Sequence, residues 1–249
     1  MPQPPHARRI RKGVILAAGK GERLSPLTRV TNKVLLPVYD RPTVNYPLDT
    51  LLRAGIADIC FVVSPQHAGS FLSYLGSGRD YHARFMYEIQ EEPLGIAHGL
   101  SLAETFVQRE PFVLVLGDNI FEDDLTDEIH AFSGSGAKMF VKEVPDPERF
   151  GVVEFDEHCR VRSIEEKPKA PKSSFVQTGL YCYDDTVFDK IRAIRPSARG
   201  ELEITDVYAL YLTEGTLTVH TISGRWFDTG TFDALLEASI FMAGKGQKA

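Results

Sequence analysis

The sequence predicts an α/β domain: one mixed, mostly parallel sheet flanked by helices, with an antiparallel portion in its second half. Three observations predict it. Short apolar runs alternate with segments of helical periodicity as far as residue 116, the pattern of βαβ units with right-handed crossovers. From Lys138 onward the pattern changes to strand-like runs with little helix between them, which favours antiparallel hairpins added to the parallel sheet. The first apolar run, Val14 to Ala18, also leads straight into the glycine turn Gly19-Lys20-Gly21, with Arg23 and Lys33 close behind. Glycines after a buried strand let backbone N–H groups approach an anion, so this stretch predicts a polyphosphate site.

Each element follows from local pattern. Thr43 to Ala54 has apolar residues at helical spacing, with Pro42 suited to the first turn and Gly55 to the end. Ile59–Val63 reads as a second buried strand, His67–Leu75 as a helix ending at Gly76, and Phe85–Ile89 as a third strand. Ile96 to Val107 reads as one helix, and Phe112–Leu116 is the strongest buried strand in the chain. Strands are predicted at Lys138–Val144, Val152–Phe155, Val161–Ile164 and Gly179–Tyr183. Helices at Thr186–Ile194 and Ile204–Leu212, a strand at Leu217–Ile222 and a last helix from Phe232 complete the reading.

Composition narrows the function classes. With 249 residues, 43% of them hydrophobic, one large domain can bury a sizeable core. The net charge of −6 argues against a nucleic-acid partner, which would need a basic face, but not against small anions focused by local cations. No apolar run approaches the ~18 residues of a membrane span. Cys60, Cys159 and Cys182 show no CxxC or zinc spacing and read as buried thiols in a reducing compartment. Residues 1–12, with Arg8, Arg9, Arg11 and Lys12 but no apolar segment behind them, read as a flexible basic tail.

The glycine turn is neither of two common phosphate loops. Gly21, not Ser or Thr, follows Lys20, so the Walker A pattern fails. A dinucleotide fingerprint fails as well: Leu24 stands where its third glycine belongs, and the second strand closes on Val63-Ser64-Pro65 without a carboxylate. What remains is Gly-x-Gly-x-Arg-Leu followed by Lys33 and Leu36-Pro37. This resembles the sugar-nucleotide pyrophosphorylases, nucleotidyltransferases that join a nucleoside triphosphate to a sugar 1-phosphate. NKVLLPVYDRP, VLGDN, ERFGVVEF, EEKP, TGLY, RGELEITD and FDTGT resemble blocks of the glucose-1-phosphate thymidylyltransferase branch, in the same order from Gly13 to Phe241.

The resemblance implies a Rossmann-like fold of the nucleotide-diphospho-sugar transferase type. Residues 13–249 would form a single domain, with 13–130 its nucleotide-binding half and 131–249 its sugar-phosphate-binding half. The reaction implied is in-line attack of a sugar phosphate on the α-phosphorus of dTTP, with Mg²⁺, giving dTDP-glucose and pyrophosphate for deoxysugar or rhamnose-type building blocks. Such chemistry needs cations and positioning rather than a nucleophile. Arg23, Lys33 and Lys167 are then the catalytic cations. Leu16, Ala17, Ala18, Gly19, Gly21, Gly95 and Asp118 would bind the nucleotide, with Gln90 reading the base. Asn119, Gly151, Glu166, Lys167, Gln177, Thr178, Gly179, Arg199 and Trp226 would bind the sugar phosphate, and Asp118 and Asp228 the metal.

Glu22, His98 and Gln177 depart from the pattern, where Thr, Gln and an apolar residue are common in the family. The substrates implied are dTTP and glucose 1-phosphate, with UTP or another sugar 1-phosphate as the alternative, and a non-catalytic sugar-nucleotide-binding regulator as the alternative of another class. Family habit implies a homo-oligomer. The C-terminal helices that longer relatives use for tetramer packing and a second nucleotide site do not carry over to a chain that continues only to Ala249 after Asp228.

Overall fold

The computed structural model describes residues 9–158 and 160–246. β1 (Lys12–Ala17) is followed by short 3-10 turns and the two-residue strands β2 (Pro37–Val38) and β3 (Arg41–Pro42). Next come α1 (Asn45–Arg53), β4 (Asp58–Val63), α2 (Ala68–Leu75), β5 (Arg84–Ile89), α3 (Ile96–Ser101), α4 (Glu104–Val107) and β6 (Phe112–Leu116). A short β7 (Asn119–Phe121) and α5 (Thr126–His130) lead to the strand-rich part: β8 (Ala137–Glu143), β9 (Gly151–Phe155), β10 (Val161–Glu166) and β11 (Phe175–Tyr183). The chain closes with α6 (Val187–Ala193), α7 (Ile204–Thr213), β12 (Leu217–Thr221), β13 (Trp226–Asp228) and α8 (Phe232–Gly246).

The sheet is mixed, as predicted. β6, β1, β4 and β5 are all parallel neighbours, with Val14 between Cys60 and Leu114 in register. β11 then runs antiparallel to β6 and forks the sheet. Its second half pairs with β6 and β8, while Val176 in its first half pairs with Val152 of β9, which leads to β10. Alternation along the strands divides the core in two. Ile15, Phe61, Val63, Val113 and Val115 face α1 and α2, whereas Val14, Cys60, Val62, Leu114 and Tyr183 face α3, α6 and α7. The parallel strands are apolar on both faces because helices cover both.

Several elements differ from the sequence reading. The helix expected over Ile96–Val107 is two, α3 and α4, separated at Leu102 and Ala103. Ser101 Oγ donates to the His98 carbonyl at 2.7 Å, a local bond that competes with continuing the helix. Pro42 lies in β3 rather than in the first turn of α1. β11 begins at Phe175, not Gly179, because its first residues pair with β8 through a polar Gln177 that breaks the apolar pattern. The β13–β7 pair was too short to be read from periodicity.

The expected basic tail also needs correction at its end; residues 1–8 and Cys159 lie outside the described residues. Ile10 is buried in the core and Lys12 opens β1. The Lys12 ammonium is satisfied where α4 ends: it donates to the Phe106 and Val107 carbonyls, both at 3.0 Å, and pairs with Glu110 at 2.8 Å. A cation there meets the free carbonyls of a helix C-terminus. Cys60 and Cys182 are buried free thiols, and burial pushes both up to about 12. No helix among the described residues is long and apolar enough to cross a membrane.

Lys12→Met, which strands those two carbonyls, should destabilise the domain by about 1–3 kcal/mol. Arg11→Met, at an exposed neighbour, should stay within about 0.5 kcal/mol. Urea melts of the two variants check this pair; equal midpoints would contradict the role given to Lys12.

Candidate active site

The site lies beyond the C-terminal ends of β1 and β6, where ligands bind in open α/β sheets. β1 ends at Ala17, and the turn after it wraps the stem of a lysine that arrives from later in the chain. A Cβ on Gly19 would stand 3.3 Å from Lys33 Cε, and Gly21, at φ +65°, would put one 2.9 Å from Lys33 Cβ. The glycines therefore make room for Lys33 as well as for an anion. Asn32 sets the position of that lysine. Fully walled in, its Nδ2 donates to the Ala17 carbonyl at 2.9 Å and its Oδ1 accepts from Val34 N at 3.0 Å.

Lys33 Nζ donates to Asp118 Oδ2 at the end of β6. Burial by itself would lower the lysine, but Asp118 and Asp228 hold it above its ordinary value. Burial likewise opposes ionisation of Asp118, yet Lys33 holds its carboxyl below the usual range. Asp228, on β13, is pushed up by burial and then by Asp118. Arg23 comes within 3.9 Å of it from the exposed side. The Asp118 carbonyl accepts from both the backbone N–H (3.0 Å) and the hydroxyl (2.9 Å) of Thr229, which fixes the two acidic segments to each other. A buried and a half-buried carboxylate that repel one another, open to solvent-borne ligands on one side, suit a Mg²⁺ ion that takes few protein carboxylates and completes its shell with phosphate oxygens.

Two cavities meet at this point. The first, about 570 Å³, is lined by Leu16, Ala18, Gly19, Gly21, Gln90 and Gly95 together with Arg23, Lys33, Asp118 and Arg199. The second, about 390 Å³, is lined by Asn119, Gly151, Glu166, Lys167, Gln177, Thr178, Gly179, Trp226 and Asp228. Arg23, Ile96, Leu116 and Asp118 line both. Of the residues the sequence assigns to catalysis or binding, Ala17 alone lies behind the wall, buried, as the acceptor for Asn32.

Other contacts specify the walls. Gln90 is buried and its Nε2 is 2.9 Å from His98 Nδ1, so the histidine orients the amide. Asn119 joins three segments: its Oδ1 accepts from Gly179 N at 2.9 Å and Trp226 Nε1 at 2.6 Å, and its Nδ2 donates to Asp118 Oδ1 at 3.0 Å. Thr178 spends its hydroxyl on the Phe140 carbonyl at 2.9 Å. Lys167 has φ +42°, a backbone state that L-residues enter at a cost and that clusters at functional sites. Glu166, pushed up by burial against the pull of Lys167, lies 3.6 Å from Lys167 Nζ and 3.3 Å from Arg199 Nη2. Arg199 lines the first cavity and pairs with Glu201 (3.2 Å) and Glu203 (2.8 Å) besides. Glu22 is exposed at the rim of that cavity.

Sequence reasoning missed Asn32, Thr229 and Arg149, the last a wall residue of the second cavity. An Asn immediately before a singled-out Lys, able to cap the next turn through its side chain, was the available signal for Asn32.

Comparison with known proteins gives the family. Residues 12–245 match the family model described as nucleotidyl transferase. The chain belongs to the nucleotidyl transferase family. A glucose-1-phosphate thymidylyltransferase of Neisseria meningitidis is 46% identical to this nucleotidyl transferase over 237 residues, 93% of this chain and 82% of that protein. One from Mycolicibacterium smegmatis is also 46% identical, over 235 residues with the same coverage. A Bacillus anthracis crystal structure assigned as a glucose-1-phosphate thymidylyltransferase, in complex with sucrose, superposes with a TM-score of 0.88 at 45% identity, covering 92% of this chain and 94% of that one. A UDP-glucose pyrophosphorylase complexed with UDP-glucose has a TM-score of 0.84 at 23% identity, covering 95% and 99%, and shares the fold.

Asn32→Ala should lower stability by about 1–3 kcal/mol through two lost buried hydrogen bonds. It should also lower turnover more than Thr28→Ala, which removes the hydroxyl bond to the Gly21 carbonyl on the same loop but leaves Lys33 held. Urea melts with steady-state assays check both; an Asn32→Ala protein of unchanged turnover would contradict the positioning of Lys33 by Asn32.

Proposed function

We propose that this nucleotidyl transferase moves a thymidylyl group from dTTP to α-D-glucose 1-phosphate, giving dTDP-glucose and pyrophosphate. The observation that carries the proposal is the meeting of two cavities at Arg23, Lys33, Asp118 and Asp228. The thymidylyltransferase names of relatives at 46% identity support the choice of substrates.

In this reading the triphosphate lies along the turn after β1, with Gln90 against the edge of the base, since an amide offers both a donor and an acceptor. Arg23 neutralises the outer phosphates and Lys33 the α-phosphate and the pyrophosphate that departs. Glucose 1-phosphate lies in the second cavity, with Lys167 on its phosphate and Glu166 accepting from sugar hydroxyls. The phosphate oxygen of the sugar, already anionic at neutral pH, attacks the α-phosphorus directly, so no side chain need accept a proton or form a bond. Asp118 and Asp228 would hold Mg²⁺, which supplies positive charge to phosphate oxygens. Positioning and charge neutralisation then account for the catalysis. Buried free Cys60 and Cys182 suit the reducing cytoplasm, and the reading assigns the enzyme there.

Pyrophosphate release across a panel of triphosphates and sugar 1-phosphates with Mg²⁺ tests the proposal. The highest kcat/KM is expected for dTTP with glucose 1-phosphate, and Asp118→Asn should lower it by ~100-fold or more at temperatures where the variant remains folded. Tight nucleotide binding without turnover of any pair would refute the enzyme reading. Better turnover of UTP would move the assignment to uridylyl transfer.

A further inference from the structure

The geometry points to Gln177 as a residue that reads a hydroxyl of the sugar substrate, an inference that rests on the functional reading above. Gln177 is 8% exposed, and its Oε1 is one of the few buried side-chain oxygens among the described residues without a hydrogen-bond partner. A second, Thr205 Oγ1, belongs to a side chain beside it. Both side chains crowd the same point: a Cβ on Gly151 would collide with the Gln177 amide and stand 2.9 Å from Thr205 Cγ2. The amide therefore occupies the space that Gly151 leaves open, on the wall of the second cavity.

Nothing in the fold requires an amide at this place. Gln177 follows the fully buried Val176 on β11 and pairs with Val141 of β8 through its backbone, so an apolar side chain would serve the strand equally well. The amide oxygen here gives up its hydration and recovers no bond from the protein, a bond that a ligand hydroxyl supplies once the side chain turns that oxygen to the cavity. The chemistry of that ligand follows from the orphaned atom. A carbonyl oxygen accepts and does not donate, so it repels the oxygens of a phosphate and is matched by a hydroxyl. The phosphate has its own partner in Lys167 on the same wall. Gln177 thus faces the hexose ring rather than its phosphate. The site takes a hexose 1-phosphate with a hydroxyl at the carbon nearest Gln177 and discriminates against the sugar deoxygenated there.

The test compares glucose 1-phosphate with its 2-, 3-, 4- and 6-deoxy analogues, using dTTP and pyrophosphate release, for the wild type and Gln177→Met. Methionine keeps the length and removes the amide. Gln177→Val, whose branched side chain suits a strand, is measured in parallel in case the longer residue packs badly. The wild type should lose about 10- to 100-fold in kcat/KM for one analogue through this contact. Both variants should shrink the ratio at that carbon by about the same factor and leave the ratios at the other three as they were. An active wild type whose four ratios all survive both substitutions overturns the role of Gln177 alone. A wild type that turns over none of the five sugars overturns the functional reading and this inference with it.

Discussion

The buried contact between Lys33 and Asp118 is the constraint on which the rest of the site depends. It joins the lysine packed under the turn after β1 to the segment after β6, and it places a cation between Asp118 and Asp228. A buried pair of this kind is not a source of net stability by default, because both charges lose hydration; removing one partner nevertheless costs about 3–5 kcal/mol, since the other is left uncompensated. The surrounding residues act to keep the pair in register. Asn32 anchors the lysine to β1, the glycines of the turn leave space for its stem, and Thr229 ties the Asp118 carbonyl to the segment that carries Asp228. Charge that would be ruinous in a closed core is placed instead where two cavities meet, open to ligands.

The forked sheet explains how those two cavities come to share a wall. The parallel strands β6, β1 and β5 end at the first cavity, with Leu116, Leu16 and Gln90 on its wall. β11 pairs with β6 over Leu180–Tyr183 and with β9 at Val176, so its middle, Thr178 and Gly179, opens toward the second. Asn119 bolts the seam, holding Gly179, Trp226 and Asp118 through one side chain. Arg199 spans the seam at the other end, between Glu166 of the second cavity and Glu201 of the first, and pairs with the buried Glu203 as well.

Much of this was legible in the sequence, for physical reasons that differ by element. FVLVL at β6 and the Val14–Ala17 run of β1 are apolar on both faces, so composition alone marks them as central parallel strands. The cations and carboxylates of the site stand at strand ends and glycine turns, where local pattern already points to ligands. The less legible features depend on tertiary partners. Lys12 reads as part of a basic tail until the free carbonyls of α4 are in place. His98 stands out in the sequence only as a departure from the family pattern until Gln90 is folded against it. α3 and α4 share one periodicity and are separated by a side-chain bond that no hydrophobic pattern records. Asn32 and Thr229 escape notice because they act on backbone groups distant in sequence, although each is decisive for where a charged neighbour sits.

The central claim is that both substrates meet in this one cleft and react directly, with no covalent intermediate on the protein. The stereochemical course at phosphorus tests it most directly. With dTTP carrying a single chiral thio-substitution at the α-phosphorus, one in-line displacement by glucose 1-phosphate predicts product of inverted configuration. Retention would mean two displacements and a nucleotidylated side chain, and would contradict the account.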